Sequence, residues 1–194
     1  MIKLNGIKKI NVAVFISGKG SNLENLIKCS KNKKSRFKIS LIISSSSKAL
    51  GLKFAKRFNI EKKIIDFNNN KLIEKNLLLA IKKKHVNIIC LAGFMKILSK
   101  NFIKRFDGKI LNIHPSLLPK YKGLNTHFRA IQNKEPYSGC TVHYVNSKLD
   151  SGKIILQKKV KIFKKDTSKS LATRVLVQEH ALYPKALNKI INDL

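Results

Sequence analysis

The sequence predicts an α/β protein whose central sheet is mostly parallel and is flanked by helices. Short apolar and β-branched runs, typical of buried parallel strands, alternate with segments of helical spacing over the first two-thirds of the chain. This alternation implies parallel strands joined by right-handed crossovers. A hairpin-like stretch over residues 139–162 predicts a mixed edge on the C-terminal side of the sheet.

The length and composition favour one domain. A chain of 194 residues can bury a substantial core, and no shift in composition marks a second domain, so we expect a single domain over residues 1–194. No apolar run approaches the roughly 18–20 residues of a membrane span. The basic residues 1–9 lead into a glycine turn rather than into a secretory signal. A cytoplasmic protein is therefore expected.

The apolar patterns predict seven strands and six helices. The strands are expected at residues 11–16, 37–43, 63–67, 87–92, 109–113, 139–145 and 153–162. One helix begins after residue 22, and the others cover about residues 48–58, 71–84, 99–106, 126–133 and 168–190. Pro184 is expected to interrupt or kink the last helix, because proline lacks the N–H that an interior helical position donates.

The net charge of +31 comes mainly from lysines that are spread over nearly every segment. Clustered basic residues usually indicate a nucleic-acid or anionic-membrane partner. Since the lysines are dispersed, we interpret them as a compositional bias of the surface. We expect no specific nucleic acid and no membrane among the partners, and charge repulsion favours a monomer or weak dimer at low salt.

The three cysteines, Cys29, Cys90 and Cys140, are widely spaced and include no CxxC pair. This pattern argues against a disulfide framework and against a zinc site. We expect reduced, structural thiols and no metal.

A glycine turn, SGKGSN at residues 17–22, follows the first strand. Glycines let the backbone approach a ligand closely, and the free N–H groups at a helix start favour a phosphate. The turn matches neither GxGxxG nor a P-loop, so neither a dinucleotide nor a nucleoside triphosphate is indicated. A glycine-rich turn between a strand and a helix can also be purely structural, and the turn alone does not separate the two interpretations.

Asn112 and His114 lie two positions apart at the end of a predicted strand. Side chains at this spacing point to the same side of a strand, so both polar groups face one cleft. The prolines that follow cannot continue a central strand, which places the pair at a carboxyl end, where open α/β sheets bind ligands. A histidine before a proline can also be an ordinary loop residue.

Five stretches make the sequence resemble the phosphoribosylglycinamide formyltransferases, the folate-dependent enzymes of purine biosynthesis: ISGKGSNL, LAGFMKILS, LNIHPSLLPKYKGLNTH, VHYVNSKLDSGKIILQ and QEHALYP. The resemblance implies a single-domain, Rossmann-like formyltransferase fold. It also implies transfer of the formyl group of 10-formyltetrahydrofolate to the amine of 5-phosphoribosylglycinamide, without a metal. Residues 1–100 would form the phosphate-binding half, and residues 101–194 the folate-binding and catalytic half.

The resemblance also implies roles for single residues. The catalytic trio would be Asn112, His114 and Asp150. The ribosyl phosphate would be bound by Gly20, Ser21 and Asn22, and the amine and ribose of the substrate would contact Glu179 and Pro115. The folate would be bound by Asn70, Asn112, Met95, Lys96, Ile97 and Leu98, the last four largely through their backbone.

Such a trio suits attack by an amine on a formyl carbon. The attack creates a tetrahedral intermediate with a developing oxyanion, to which the amide of Asn112 can donate a hydrogen bond. His114 is a natural proton carrier between the amine, the oxyanion and the departing folate nitrogen. Asp150 would orient the imidazole and favour its charged form. In a structural interpretation, Asp150 is a turn residue before Ser-Gly.

The sequence departs from the family's pattern at several positions. Asn70 stands where an arginine would contact the glutamate tail of the folate, Asn125 where a histidine is usual, and Leu176 where a polar substrate contact would lie. Lys19, between the glycines of the turn, could reach the phosphate or face water. The resemblance further predicts a cis peptide bond at Leu118–Pro119.

Two other functions stay open at this stage. The catalytic domain of methionyl-tRNA formyltransferases resembles this chain in the Asn, His and Asp residues and in the HPSLLP loop, whereas the GKGSN turn and the QEHALYP ending argue against it. A basic nucleic-acid-binding domain without catalysis would suit the charge but leaves the trio unexplained.

Overall fold

The computed structural model describes residues 9–65 and 71–193, which form one seven-stranded sheet with helices on both faces. The strands are β1 (Ile10–Ile16), β2 (Phe37–Ser44), β3 (Lys62–Ile64), β4 (Ile88–Leu91), β5 (Lys109–His114), β6 (Tyr137–Tyr144) and β7 (Ile154–Lys161). The helices are α1 (Ser21–Ser30), α2 (Leu52–Arg57), α3 (Lys71–Lys83), α4 (Lys100–Arg105), α5 (Thr126–Gln132) and α6 (Ser168–Asn192).

The sheet confirms the predicted fold class. Its strand order is β3-β2-β1-β4-β5-β6-β7. Strands β1 to β5 are parallel, and β6 and β7 run antiparallel to their neighbours. The two antiparallel strands form the predicted mixed edge on the C-terminal side.

The strand order reverses between β1 and β4, because the chain moves outward from β1 to β3 and then returns to the other side of β1. Loops that leave the carboxyl ends of two strands at such a reversal diverge, and ligands bind in the crevice between them. The glycine turn follows β1, and the loop of residues 92–99 follows β4. The topology therefore positions two predicted binding loops at one crevice.

Two apolar clusters cover the faces of the sheet. One cluster packs α1, α2 and α6 against the sheet, and the other packs α3 and α4 against the opposite face. Successive residues of β1 alternate between them, with Val14 in the first and Phe15 in the second, and both are fully buried. A strand covered on both faces accounts for the uninterrupted apolar run that predicted it.

Two elements are shorter than predicted, and the remaining boundaries agree within two residues. Helix α2 begins at Leu52 rather than near residue 48, because the preceding residues form turns and the N–H of Gly51 donates to the Gly18 carbonyl at 3.0 Å. Strand β3 ends at Ile64, and positions 66 and 67 of the prediction lie outside the described residues.

Helix α6 runs unbroken through Pro184, so the predicted interruption is wrong, and the alternative, a kink, stays a prediction. Proline cannot donate to the carbonyl four residues earlier, which belongs to His180. The side chain of Asn25 in α1 donates to that carbonyl instead, at 2.6 Å. The tertiary contact thus compensates for the missing helical hydrogen bond. None of the described helices, α6 included, is long and apolar enough to cross a membrane.

Replacing Asn25 by alanine is expected to destabilise the protein by about 1–2 kcal/mol, because the His180 carbonyl loses its donor. The Pro184→Ala change restores a helical N–H for that carbonyl. The cost of Asn25→Ala should therefore be smaller in the Pro184→Ala background than in the parent. Urea unfolding of the four proteins of this cycle measures the coupling, and equal costs in both backgrounds would contradict the compensation.

The three cysteines are free thiols. Burial raises the pKa of both Cys90 and Cys140 to about 12. Such thiols stay protonated and unreactive at neutral pH, as the structural role predicted for them requires.

Candidate active site

Strand β5 ends in the two polar residues that were predicted to face one cleft. Asn112 pairs with His143 of β6, and His114 pairs with Thr141. The side chains of Asn112 and His114 both contact the carboxylate of Asp150, so they lie on the same side of the strand, as predicted.

Asp150 is the common partner of this cluster and lies in the loop between β6 and β7, with a left-handed backbone (φ 44°). Its Oδ2 lies 3.3 Å from Nδ1 of His114 and accepts the backbone N–H of Gly123 at 2.9 Å. Its Oδ1 accepts the amide of Asn112 at 3.3 Å. The side chains of His114 and Asp150 are only 7% and 8% exposed. A buried carboxylate with three polar partners is thus held against the imidazole.

His143 of β6 is a further member of the cluster, and it was not among the predicted site residues. Its Nε2 lies 3.2 Å from Nδ2 of Asn112 and 3.7 Å from Oδ1 of Asp150. Its Nδ1 lies 2.8 Å from the Tyr144 carbonyl, so Nδ1 carries a proton and Nε2 of the neutral ring accepts from Asn112. Knowing that β6 pairs with β5 was needed to find this residue.

The imidazole of His114 is held by its own loop. Its Nε2 donates to the Tyr121 carbonyl at 2.8 Å, so in the neutral ring Nδ1 presents its lone pair to Asp150. Burial lowers the pKa of His114, while the Tyr121 carbonyl and the charge of Asp150 act in the opposite direction. The ring is therefore neutral near pH 7, with partners that favour its charged form once it gains a proton.

Asp150 stays ionised in the same range. Burial acts to raise its pKa, but the nearby imidazole of His143, the hydrogen bond from the Gly123 N–H and the charge of His114 together lower it. A carboxylate beside a neutral imidazole is the arrangement in which a proton can be received and stabilised.

The glycine turn is shaped by its packing against a second turn. Gly20 has a left-handed backbone (φ 75°), and an added Cβ would lie 2.7 Å from Cα of Gly51. The N-cap residue of α1, Gly20, has no side chain that could cap the helix. The turn therefore requires glycine for structural reasons, and among the described residues no side chain caps the first N–H groups of this ten-residue helix.

Glu179 of α6 reaches the same turn. Its Oε2 accepts the amide of Asn22 at 2.7 Å, across 157 positions of sequence. The residue is 8% exposed, and burial raises the pKa of its carboxyl, with the Asn22 hydrogen bond acting in the opposite direction. The second amide atom of Asn22, Oδ1, is buried and has no partner among the described residues.

Replacing Glu179 by glutamine is expected to stabilise the protein at pH 7. Folding raises the pKa of the Glu179 carboxyl, so the unfolded state ionises first as the pH rises past about 4.3. The free energy of unfolding of the parent therefore falls as the pH rises, whereas that of the glutamine variant does not. At lower pH both states bind the proton and the advantage disappears. Urea unfolding at pH 4 and pH 7 measures the difference.

The control for that change is Glu135→Gln, at a position where the pKa is lowered by the hydrogen bond with Lys120. This variant should show the opposite trend, losing stability relative to the parent as the pH rises. An advantage of Glu179→Gln that is the same at both pH values would contradict the effect of burial.

The loop after β4 is anchored to the end of β1. The N–H of Met95 donates to Oγ of Ser17 at 2.8 Å. Met95, Lys96 and Ile97 are exposed, whereas Leu98 is buried in the core. The exposed part of the loop thus lines one side of the crevice, and the buried leucine fixes its end.

The departing positions that the structure describes, Lys19, Asn125 and Leu176, have no hydrogen bond to Asn112, His114 or Asp150. Lys19 is exposed, Leu176 is half-buried, and Asn125 precedes α5 with a left-handed backbone (φ 55°). Asn70 lies outside the described residues. The predicted cis peptide bond at Leu118–Pro119 is confirmed.

The structure thus brings the predicted residues into two groups. Asn112, His114 and Asp150 form one, and the glycine turn with Glu179 forms the other. Pro115 directly follows His114 and is half-buried. Among the residues that the structure describes, no group of three or more His, Cys, Asp and Glu side chains is placed to hold a metal ion.

Comparison with known proteins identifies the family to which this fold belongs. A model of the formyl transferase family matches residues 10–187. The phosphoribosylglycinamide formyltransferase of Escherichia coli (strain K12) is 38% identical over 182 residues, which are 92% of this chain and 86% of that protein. The crystal structure of phosphoribosylglycinamide formyltransferase from Anaplasma phagocytophilum has a TM-score of 0.90 at 40% identity, covering 96% of this chain and 88% of that one.

The fold and the family match make the chain a formyl transferase. Within that class it belongs to the phosphoribosylglycinamide formyltransferase family, as the sequence predicted. The trifunctional purine biosynthetic protein adenosine-3 of Homo sapiens is also 41% identical over 186 residues, but the chain spans only 18% of its length. It therefore matches one part of that larger relative.

Proposed function

We propose that the protein transfers the formyl group of 10-formyltetrahydrofolate to the amine of 5-phosphoribosylglycinamide in purine biosynthesis. The products are N-formyl-phosphoribosylglycinamide and tetrahydrofolate. The observation that carries the proposal is the buried carboxylate of Asp150, which contacts both the imidazole of His114 and the amide of Asn112. This arrangement combines a proton carrier with an oxyanion donor, as acyl transfer to an amine requires.

The amine substrate binds at the glycine turn in this proposal. The start of α1, at Gly20, Ser21 and Asn22, has no side-chain cap, and its N–H groups and helix dipole favour the ribosyl phosphate. Glu179, held against Asn22, and Pro115, next to His114, would contact the ribose and the amine. The phosphate then fixes one end of the substrate while its amine reaches the catalytic trio.

The folate binds in the crevice between the glycine turn and the loop after β4. The backbone of residues 95–98, which Ser17 anchors through Met95, would hold its ring system. Asn112 would contact the reacting end, and Asn70 the glutamate tail. Aligning both substrates at one edge of the sheet supplies much of the rate gain, because the transfer becomes effectively unimolecular.

In the transfer step, the amine nitrogen forms a bond to the formyl carbon, and the carbonyl electron pair moves to oxygen. Nδ2 of Asn112 donates to that oxyanion. Its contacts in the structure, 3.2 Å to His143 and 3.3 Å to Asp150, are long, as is common before substrates bind. When the oxyanion forms, the Asn112 amide can donate to it in place of His143 or Asp150. This hydrogen bond exists only in the transition state, so it lowers the barrier to transfer.

His114 completes the transfer by moving one proton. It takes the proton from the attacking amine and delivers it to the folate nitrogen as the bond between that nitrogen and the formyl carbon breaks. Asp150 stabilises the imidazolium between these events. In the structure Nε2 of His114 carries the proton that it donates to the Tyr121 carbonyl. For Nε2 to accept the amine proton, this contact must be exchanged for the substrate and the ring proton must sit on Nδ1, where it is donated to Asp150.

A single-turnover experiment with competing acceptors tests the proposed function. The protein is mixed with 10-formyltetrahydrofolate, phosphoribosylglycinamide and methionyl-tRNA, and both formylated products are measured. We expect formylation of phosphoribosylglycinamide. Transfer to the tRNA would instead support a methionyl-tRNA formyltransferase, and a folded protein that transfers to neither but binds RNA with a steep salt dependence would support the nucleic-acid-binding alternative.

We further propose that the protein acts in the cytoplasm as a monomer or weak dimer. Free cysteines are typical of a reducing compartment, and a net charge of +31 disfavours self-association at low salt. Sedimentation at low and at physiological salt measures the oligomeric state. A stable dimer at low salt would contradict this part of the proposal.

A further inference from the structure

Tyr183 is a fully buried tyrosine of α6 for which the proposed transfer has no use. Its hydroxyl lies 3.0 Å from the carbonyl of Leu91 and 3.2 Å from that of Leu111. Leu91 is the last residue of β4, and Leu111 directly precedes Asn112 in β5. The single hydroxyl proton of Tyr183 is thus shared between the backbone carbonyls of two neighbouring strands.

The contact with Leu111 acts on the peptide that carries Asn112. The carbonyl of Leu111 and the N–H of Asn112 belong to one planar unit, so a hydrogen bond to the carbonyl constrains the orientation of the whole unit. Leu91 of β4 pairs in register with Asn112 of β5. The contact of the hydroxyl with the Leu91 carbonyl therefore links the position of Asn112 to the neighbouring strand. Inside the core, water cannot replace the hydroxyl as donor.

The same face of α6 also holds the glycine turn. Glu179 lies four residues before Tyr183, about one turn away, and binds Asn22 at 2.7 Å. Helix α6 is therefore tied at one turn to the start of α1 and at the next turn to the ends of β4 and β5. Because the helix is continuous, the distance along it between Glu179 and Tyr183 is set by a rise of about 1.5 Å per residue.

We propose that Tyr183 is a positioning residue. Its hydroxyl fixes the peptide before Asn112 and thereby sets where the Asn112 amide lies relative to His114 and Asp150. The inference rests on the proposed formyl transfer. The amide contacts of Asn112 are already long, at 3.2 and 3.3 Å, so a small shift of the strand end changes which groups the amide reaches.

Two matched variants separate positioning from stability. Tyr183→Phe removes the hydroxyl and keeps the ring. Ser30→Ala removes another buried hydroxyl, which donates to the Ile27 carbonyl at 2.7 Å within α1, far along the helix from the glycine turn. Both variants should unfold at lower urea concentration than the parent, because each loses a buried hydrogen bond.

Steady-state kinetics below the unfolding range then distinguish the two variants. We expect kcat to fall about three- to tenfold in Tyr183→Phe, with the KM of both substrates little changed, because the Asn112 amide acts in the transition state. Ser30→Ala should keep the kcat of the parent. If the parent is active and Tyr183→Phe has the same kcat, the positioning role of Tyr183 is contradicted. The proposed formyl transfer is not affected by that result.

A second readout does not depend on catalysis. In protein labelled with ¹⁵N-asparagine, the side-chain amide signals of Asn112 are identified by their loss in Asn112→Ala. They should shift in Tyr183→Phe and stay in place in Ser30→Ala. An unmoved signal overturns the inference. If the parent fails to formylate phosphoribosylglycinamide, the proposed function fails, and this signal still decides whether Tyr183 positions Asn112.

Discussion

Replacing His114 by alanine is expected to lower the single-turnover rate of formyl transfer by about 10²–10⁴-fold, the usual contribution of a positioned general acid–base group. The imidazole is buried between the Tyr121 carbonyl and the carboxylate of Asp150, so it is oriented before substrates bind. The nearby ring of His143 is not expected to replace it, because its Nδ1 is held by the Tyr144 carbonyl and its Nε2 by the Asn112 amide. Quenched-flow measurement with saturating substrates gives the rate.

The control for this change is His85→Asn. His85 is exposed and has a left-handed backbone (φ 49°), which asparagine tolerates. This variant should transfer at the rate of the parent. Circular dichroism establishes that both variants are folded. A folded His114→Ala protein that keeps half of the parental rate across the pH range would contradict the role of proton carrier.

Replacing Asp150 by asparagine should lower the rate by about 10²–10⁴-fold as well, because the neutral amide cannot stabilise the imidazolium of His114. Asparagine has nearly the same shape and tolerates the left-handed backbone at this position (φ 44°). The Gly123 N–H and the Asn112 amide donate to different oxygens of the carboxylate, and asparagine presents an NH2 group in place of one of them. The substitution therefore changes charge and hydrogen bonding with little change in volume.

The pH dependence tests the same pair in a second way. The charge of Asp150 acts to raise the pKa of His114, so removing it should move the acid limb of the kcat/KM profile to lower pH. Asp166→Asn is the matched control, since Asp166 also lies beside a basic side chain, that of Arg174, near the start of α6. The control should keep the parental profile. An acid limb that stays in place in Asp150→Asn would argue against a direct charge interaction.

The sequence by itself determined the elements whose signal is local. The continuous apolar and β-branched run of β1 is typical of a strand buried on both faces. Ser99 accepts the N–H of Phe102 at 3.0 Å and caps α4 as its residue type predicts. The placement of Asn112 and His114 on one side of β5 follows from the two-residue period of a strand. Each of these inferences needs only a few neighbouring residues.

The tertiary structure alone decided the contacts between distant segments. Helix α6 continues through Pro184 because Asn25, 155 positions away from His180, supplies the missing donor, and no local rule contains that information. His143 joins the cluster because β6 pairs with β5, and Tyr183 reaches the strand ends because α6 packs across them. Periodicity along the chain indicates which face of an element is buried. Which donor meets which acceptor is set by how whole elements pack together, and it becomes defined only when the chain has folded.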